Sequence, residues 1–215
     1  MSDSPDFREL HDAENRDFSE FLHSLGDDEW ERPSLCSGWR VRDVVGHILD
    51  GNELRLWTLP WRLGRYGFSS DRSGKAYSIA RAEGRTPQQL LDDFDTRDPW
   101  AGTCRVFPAR LVLLDRLVHH QDIRRALERP RDVPTERTAP LLDRLPTMGN
   151  VFRSKQRMRG LRFETTDVPW SWGDGGSAVV RGPAEAILMA TLGRDQALGD
   201  CDGDGVSVLR GRCVD

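Results

Sequence analysis

The segment Pro108-Ala-Arg-Leu-Val-Leu-Leu-Asp-Arg-Leu-Val-His-His-Gln-Asp-Ile-Arg-Arg-Ala-Leu127 constrains the fold more than any other part of this chain. Laid on a 3.6-residue period it is apolar over most of its circumference, the pattern of a helix enclosed by other helices. Three further segments can supply that enclosure. The first runs from about Pro5 to Leu25, with Phe18, Phe21, Leu22 and Leu25 on one face and Gly26 as its stop. The second follows the Gly38-Trp39 turn and is expected to reach about Leu59, ended by Pro60. Its apolar stripe is Val41, Val44, Val45, Ile48 and Leu49. The third is shorter, opening with Thr86 as N-cap and Pro87 at the first helical position and reaching about Arg97. Gly64 to Gly84 reads as a long polar connection, so the set describes a four-helix bundle with one long crossover.

The pattern changes beyond Pro130. Residues 131–150 read as a proline-punctuated linker with a short helical stretch, and 151–215 as a small α+β domain. Strands are expected at Leu161–Thr166, Trp170–Trp172, Ala178–Arg181 and Val206–Arg210, with Asp174-Gly175-Gly176 as a hairpin turn between two of them. One helix is expected from Pro183 to Leu192. Asp200-Cys-Asp-Gly-Asp-Gly205 mimics the start of a calcium-binding loop. The position that needs a bidentate glutamate is Gly211, so it is read as a turn.

A net charge of −4 argues against a nucleic-acid partner, and no apolar run is long enough to cross a bilayer. Cys36, Cys104, Cys201 and Cys213 are far apart, with no C-x-x-C pair, and are expected as free thiols. The acidic, polar first residues do not resemble an export signal, so a cytoplasmic location is expected.

Of the five histidines, His11 and His23 lie on a charged helix and are expected at the surface. His47 borders the apolar stripe of the second helix, where a polar ring needs a partner. On the last bundle helix Asp115 and His119 stand i, i+4, one turn apart on one face, and His120 points about 100° away. A carboxylate and an imidazole one turn apart, joined by a histidine from a facing helix, would make a three-ligand site with one position open. The D-x-x-x-H spacing is also common as a local hydrogen bond, and Asp43-x-x-x-His47 repeats it. Asp43 has a structural role available at about the third residue of its helix, with only half of a capping box present. Spacing alone therefore leaves both readings open. Cys36, just before the second helix, is read as a small buried residue or, alternatively, a nucleophile activated by the helix terminus.

The stretch Trp30-Glu-Arg-Pro-Ser-Leu-Cys-Ser-Gly-Trp-Arg-Val-Arg-Asp-Val-Val-Gly-His47 resembles the mycothiol-dependent maleylpyruvate isomerase family, part of the DinB-like group of bundles. Asp115-Arg-Leu-Val-His119-His-Gln-Asp-Ile-Arg-Arg-Ala-Leu is similar to that family's fourth-helix motif. Gly182-Pro-Ala-Glu-Ala-Ile-Leu-Met-Ala-Thr-Leu-Gly-Arg194 and Gly203 to Arg210 resemble its small C-terminal domain. The resemblance implies a mostly α protein: a DinB-like metal-binding bundle over residues 1–130, followed by the small α+β domain. It places metal ligands, for zinc or another divalent cation, on His47, Asp115 and His119. Asp115 stands where the isomerase has glutamate, one methylene longer. Asp122 would orient His119 or pair with Arg125. Mycothiol is implied as co-substrate, its activated sulfur adding to or transferring onto a small electrophile. A bundle that binds a small molecule or a protein without catalysis is the alternative. Arg210 and Arg212 are read either as solvated strand-edge residues or as contacts for an anionic substrate.

Overall fold

The computed structural model describes residues 5–149, 152–175 and 178–213. The chain folds as two compact units, Met1–Arg131 and Asp132–Asp215. The first unit is helical: α1 Phe7–His23, α2 Val41–Glu53, α3 Leu59–Gly64, α4 Ser70–Ala82, α5 Pro87–Thr96 and α6 Ala109–Ala126. Local chemistry explains most of the boundaries. Asp6 caps α1 by accepting from the backbone N–H groups of Arg8 and Glu9 at 2.8 and 3.3 Å. Thr86 and Gln89 form a reciprocal capping box at the start of α5. Asp43 accepts from the backbone N–H of Arg40 at 2.9 Å and from its guanidinium, which closes the start of α2.

Phe18, Phe21 and Leu22 of α1 pack with Val44, Val45, Ile48 and Leu49 of α2, Leu90 and Phe94 of α5, and Ile123 of α6 in one core. Leu113, Leu114 and Leu117 of α6 are fully buried, as its all-round apolarity requires. α1 lies along α6 and α2 along α4. The α2–α4 approach depends on Gly46. A Cβ there would stand 2.4 Å from the carbonyl oxygen of Ser78 and 3.2 Å from the Cβ of Ala82.

Two sequence expectations for this unit need correction. Gly64–Gly84 is not a plain connection, because most of it is α4, capped by Ser69 accepting from Arg72 N at 3.3 Å. Its buried residues are Ser73, Ser78, Arg81 and Ala82, too small or too polar to register as an apolar stripe. Nor does the second helix continue to Leu59. α2 stops at Glu53, and Pro60 opens α3, where a missing N–H costs nothing.

The second unit holds α7 Thr135–Leu142, α8 Ser154–Met158, α9 Ala184–Thr191 and α10 Gly205–Gly211, with strands β1 Leu161–Thr165, β2 Ser171–Trp172 and β3 Ala178–Gly182. The sheet order is β2-β1-β3. β1 pairs antiparallel with β2 (Phe163 opposite Trp172) and parallel with β3 (Phe163 opposite Val180). Thus Asp174-Gly175-Gly176 does not close a hairpin, because β2 and β3 lie on opposite edges of β1; Gly176 itself is outside the described residues. Val206–Arg210 is helix α10 rather than a strand, with Leu209 buried. Just before it, Asp204 Oδ1 accepts from Val179 N at 2.6 Å, a structural use for an aspartate of the calcium-loop mimic. Arg210 and Arg212 are therefore not strand-edge residues. Arg212 donates to the carbonyl oxygens of Arg157 and Arg159 at 2.6 and 2.7 Å. All four cysteines are free thiols. Among the described residues no helix is long and apolar enough to cross a membrane.

The packing at Gly46 makes a paired prediction. Gly46→Ala should cost about 1–3 kcal/mol in a urea unfolding titration, because the new methyl group meets backbone. Gly74→Ala, on α4 with nothing within 4 Å of the added Cβ, should be neutral or add up to about 1 kcal/mol through helix propensity.

Candidate metal centre

α2 and α6 each bring one imidazole to the same point. His47 Nε2 lies 3.7 Å from Asp115 Oδ1, and His119 Nε2 lies 3.5 Å from the same oxygen. The two rings meet edge to face with centroids 4.8 Å apart, and the three donor atoms lie within 4.8 Å of one another. His47 and Asp115 keep 31% and 45% of their side-chain surface exposed, whereas His119 keeps 10%. The cluster is thus reachable from solvent on one side.

Hydrogen bonds behind the rings decide which nitrogen faces inward. The Ser78 hydroxyl donates its one hydrogen to the carbonyl of Gly74 at 2.7 Å, so at 3.3 Å from His47 Nδ1 it can only accept. That arrangement suits a ring with its proton on Nδ1, which leaves Nε2, the nitrogen that faces Asp115, free to bind a cation. At His119, Nδ1 stands 3.1 Å from Asp122 Oδ2, a buried carboxylate that accepts, so the neutral ring also presents Nε2. Two inward lone pairs and a carboxylate oxygen form a donor set for a divalent cation. The separations of 3.5 and 3.7 Å are too long for good hydrogen bonds. They are close to the edge of a tetrahedron with ligand bonds of about 2.0–2.2 Å.

Electrostatics point the same way. Burial opposes charge on His119, but the negative charge of Asp115, helped by the hydrogen bond to Asp122, outweighs it and holds the ring's proton affinity well above the usual histidine value. Asp115 is crowded by protein, which opposes its charge, although its side chain reaches solvent. The adjacent His119 and His47 rings prevail and hold its carboxyl well below the usual range. The site strongly favours positive charge between these groups.

Trp39 lies against both rings, its centroid 5.1 Å from His47 and 6.1 Å from His119. Neither Trp39 nor Ser78 was singled out as a site residue from sequence, Ser78 because the helix that carries it was not expected. Asp43 is occupied by Arg40 and stays out of the cluster. His120 turns away: it is fully buried, stacked on Phe18 at 4.3 Å and bonded to Glu14 at 2.7 Å, and burial lowers its pKa to about 4. His23 is exposed beside Asp95, as expected of a surface histidine. His11 is not at the surface. Trp100 covers it at 4.5 Å, anchored by its indole N–H on Asp12, and no part of His11 is exposed.

Residues 11–103 match the mycothiol maleylpyruvate isomerase N-terminal domain family. The similarity to that family covers most of the helical unit. The match carries His47, Trp39 and Ser78, while Asp115 and His119 lie beyond it on α6. Among solved structures, a histidine-to-alanine mutant of the mycothiol-dependent maleylpyruvate isomerase aligns with 89% of this chain and 90% of its own, at a TM-score of 0.59 and 16% identity. At that identity the likeness establishes the fold alone, across most of the chain. None of the curated proteins compared matches it.

The burial of His11 sets a pH dependence. Burial, then Arg116, lowers its pKa from 6.5 to about 4. A pKa depressed in the folded state means that the unfolded chain binds the extra proton between those values. Stability is therefore lost as pH falls from 6.5 toward 4. His11→Gln should reduce that loss by about 3 kcal/mol or less, measured by urea unfolding across the range.

Proposed function

We propose that the helical unit holds a divalent cation, zinc or a similar metal, on His47, Asp115 and His119, and that the protein is a metal-dependent thiol enzyme using mycothiol. The observation that carries this reading is the pair of Nε2 atoms from two helices, each ring held from behind by a polar partner at Nδ1, facing one aspartate oxygen. Local ion pairing alone would not need both rings held from behind. The similarity of residues 11–103 to the isomerase N-terminal domain family supports mycothiol as the thiol and isomerase-like chemistry as the reaction class.

Bound there, a divalent cation would favour the thiolate of a sulfur placed in its open position. The chain's own residues do the rest. Ser78 and Asp122 keep the two imidazoles turned inward. Trp39 covers the rings and presents an apolar wall beside them. The open side, where His47 and Asp115 are exposed, is where a thiol and a small electrophile would approach. Addition of the thiolate to a conjugated bond followed by its loss would give isomerisation, and retention of the adduct would give transfer. Asp115 in place of glutamate shortens one ligand by a methylene, and it separates this site from the isomerase that resembles it.

Protein purified without chelator should contain one equivalent of metal, read by elemental analysis. His47→Ala and His119→Ala should each abolish stoichiometric binding while keeping the helical circular dichroism signal. Metal retained in full by both variants would refute the ligand set. Mass spectrometry of mycothiol with a panel of electrophiles, together with a maleylpyruvate assay, should show a thioether product or isomerisation. Stoichiometric metal with neither product would indicate a binding module.

A further inference from the structure

The turn that leads into α2 does more than connect. Ser34 and Trp39 close it, with Ser34 N and Oγ both donating to Trp39 O at 2.9 and 3.0 Å. Cys36 N donates to Ser34 Oγ at 3.1 Å, and Trp39 N to Cys36 O at 2.9 Å. This locked turn docks on α6 at Asp122 and beside His119, whose Nδ1 lies 3.7 Å from Cys36 Sγ. Leu35 N donates to the backbone oxygen of Asp122 at 3.1 Å, and Cys36 Sγ lies 3.0 Å from Asp122 Oδ2. That carboxylate oxygen is the one facing His119 Nδ1. Asp122 is fully buried, where an ionised carboxylate needs its lone pairs filled, and Cys36 and His119 are two of the groups placed to fill them.

We propose that Cys36 is a positioning residue for the metal centre: its thiol donates to Asp122, and that bond holds the carboxylate on His119 Nδ1 and the His119 lone pair on the metal side. The proposal rests on the metal reading above for its consequence, though the hydrogen bonds themselves do not. Cys36, His119 Nδ1 and Asp122 could alternatively serve as ligands to a metal of their own, since they too form a close cluster. Distances separate the two roles. The sulfur–oxygen and nitrogen–oxygen separations of 3.0 and 3.1 Å are hydrogen-bond lengths, shorter than the edges between ligands of a tetrahedral ion. A metal on Nδ1 would also displace the proton that keeps Nε2 facing Asp115.

Three variants and three readouts test this. Zinc affinity, by competition with a chromophoric chelator, should fall roughly 10–100-fold in Cys36→Ala, the usual effect of removing a residue behind a metal ligand. It should be largely recovered in Cys36→Ser, whose hydroxyl can donate to Asp122. Cys213→Ala, in the second unit, should bind as the wild type does. The cobalt-substituted protein should lack a thiolate-to-cobalt charge-transfer band. In metal-free protein, the Nδ1 proton of His119 should be a protected signal in imidazole nitrogen–proton spectra, and it should exchange faster in Cys36→Ala. Unchanged zinc affinity and proton exchange in folded Cys36→Ala would overturn the proposal. So would a charge-transfer band that Cys36→Ala abolishes, or an unprotected Nδ1 proton in the wild type. If the wild type binds no metal but its Nδ1 proton behaves as expected, the metal reading falls and the thiol's positioning of His119 stands.

Discussion

The close approach of α2 to α4 at Gly46 is the contact on which the site depends. A helix pair can come this near only where one partner has no side chain, and here the facing atom is the carbonyl oxygen of Ser78. The same residue turns its hydroxyl to His47 Nδ1. One missing methyl group thus brings in the polar partner behind a proposed ligand, one residue along the chain. Packing and chemistry meet on adjacent residues: Gly46 sets the helix separation, and His47 uses the result.

Neighbouring residues of one type acquire opposite characters from their surroundings. His119 and His120 adjoin on α6. His119 lies among carboxylates, which outweigh burial and favour its charge; His120 lies in the core against Phe18, where burial suppresses its charge despite Glu14. The aspartates divide in the same way. Asp43 is spent on the first turn of α2, Asp115 faces the two Nε2 atoms, and Asp122 is buried behind His119. Residue type alone would have treated each of these sets as equivalent.

Where local chemistry was strong, the sequence was legible. Thr86-Pro87 with Gln89 starts a helix because the cap satisfies backbone donors without help from elsewhere. It was misleading where a segment is stabilised by packing rather than by an apolar stripe. α4 buries Ser73, Ser78 and Ala82, which look like loop residues until a glycine-bearing helix lies against them. In α10 the alternation Val206-Ser-Val208 imitates a strand, yet the segment turns helical with Leu209 buried and Asp204 tied to β3. His11 looked solvated because its neighbours in sequence are charged; Trp100, far along the chain, covers it.

By itself the sequence determined that Asp115 and His119 share a helix face and that His47 borders the buried side of another, since helical periodicity is a local property. The resemblance to a family joined the three into one candidate site. Only the tertiary structure decided that their donor atoms lie within 4.8 Å of one another. It also decided that Ser78, Trp39, Asp122 and Cys36 surround them. Those residues come from α4, from the turn before α2 and from α6. Their proximity is set by how separate segments pack, through contacts as specific as a glycine facing a carbonyl, and a repeat of 3.6 residues carries no information about that.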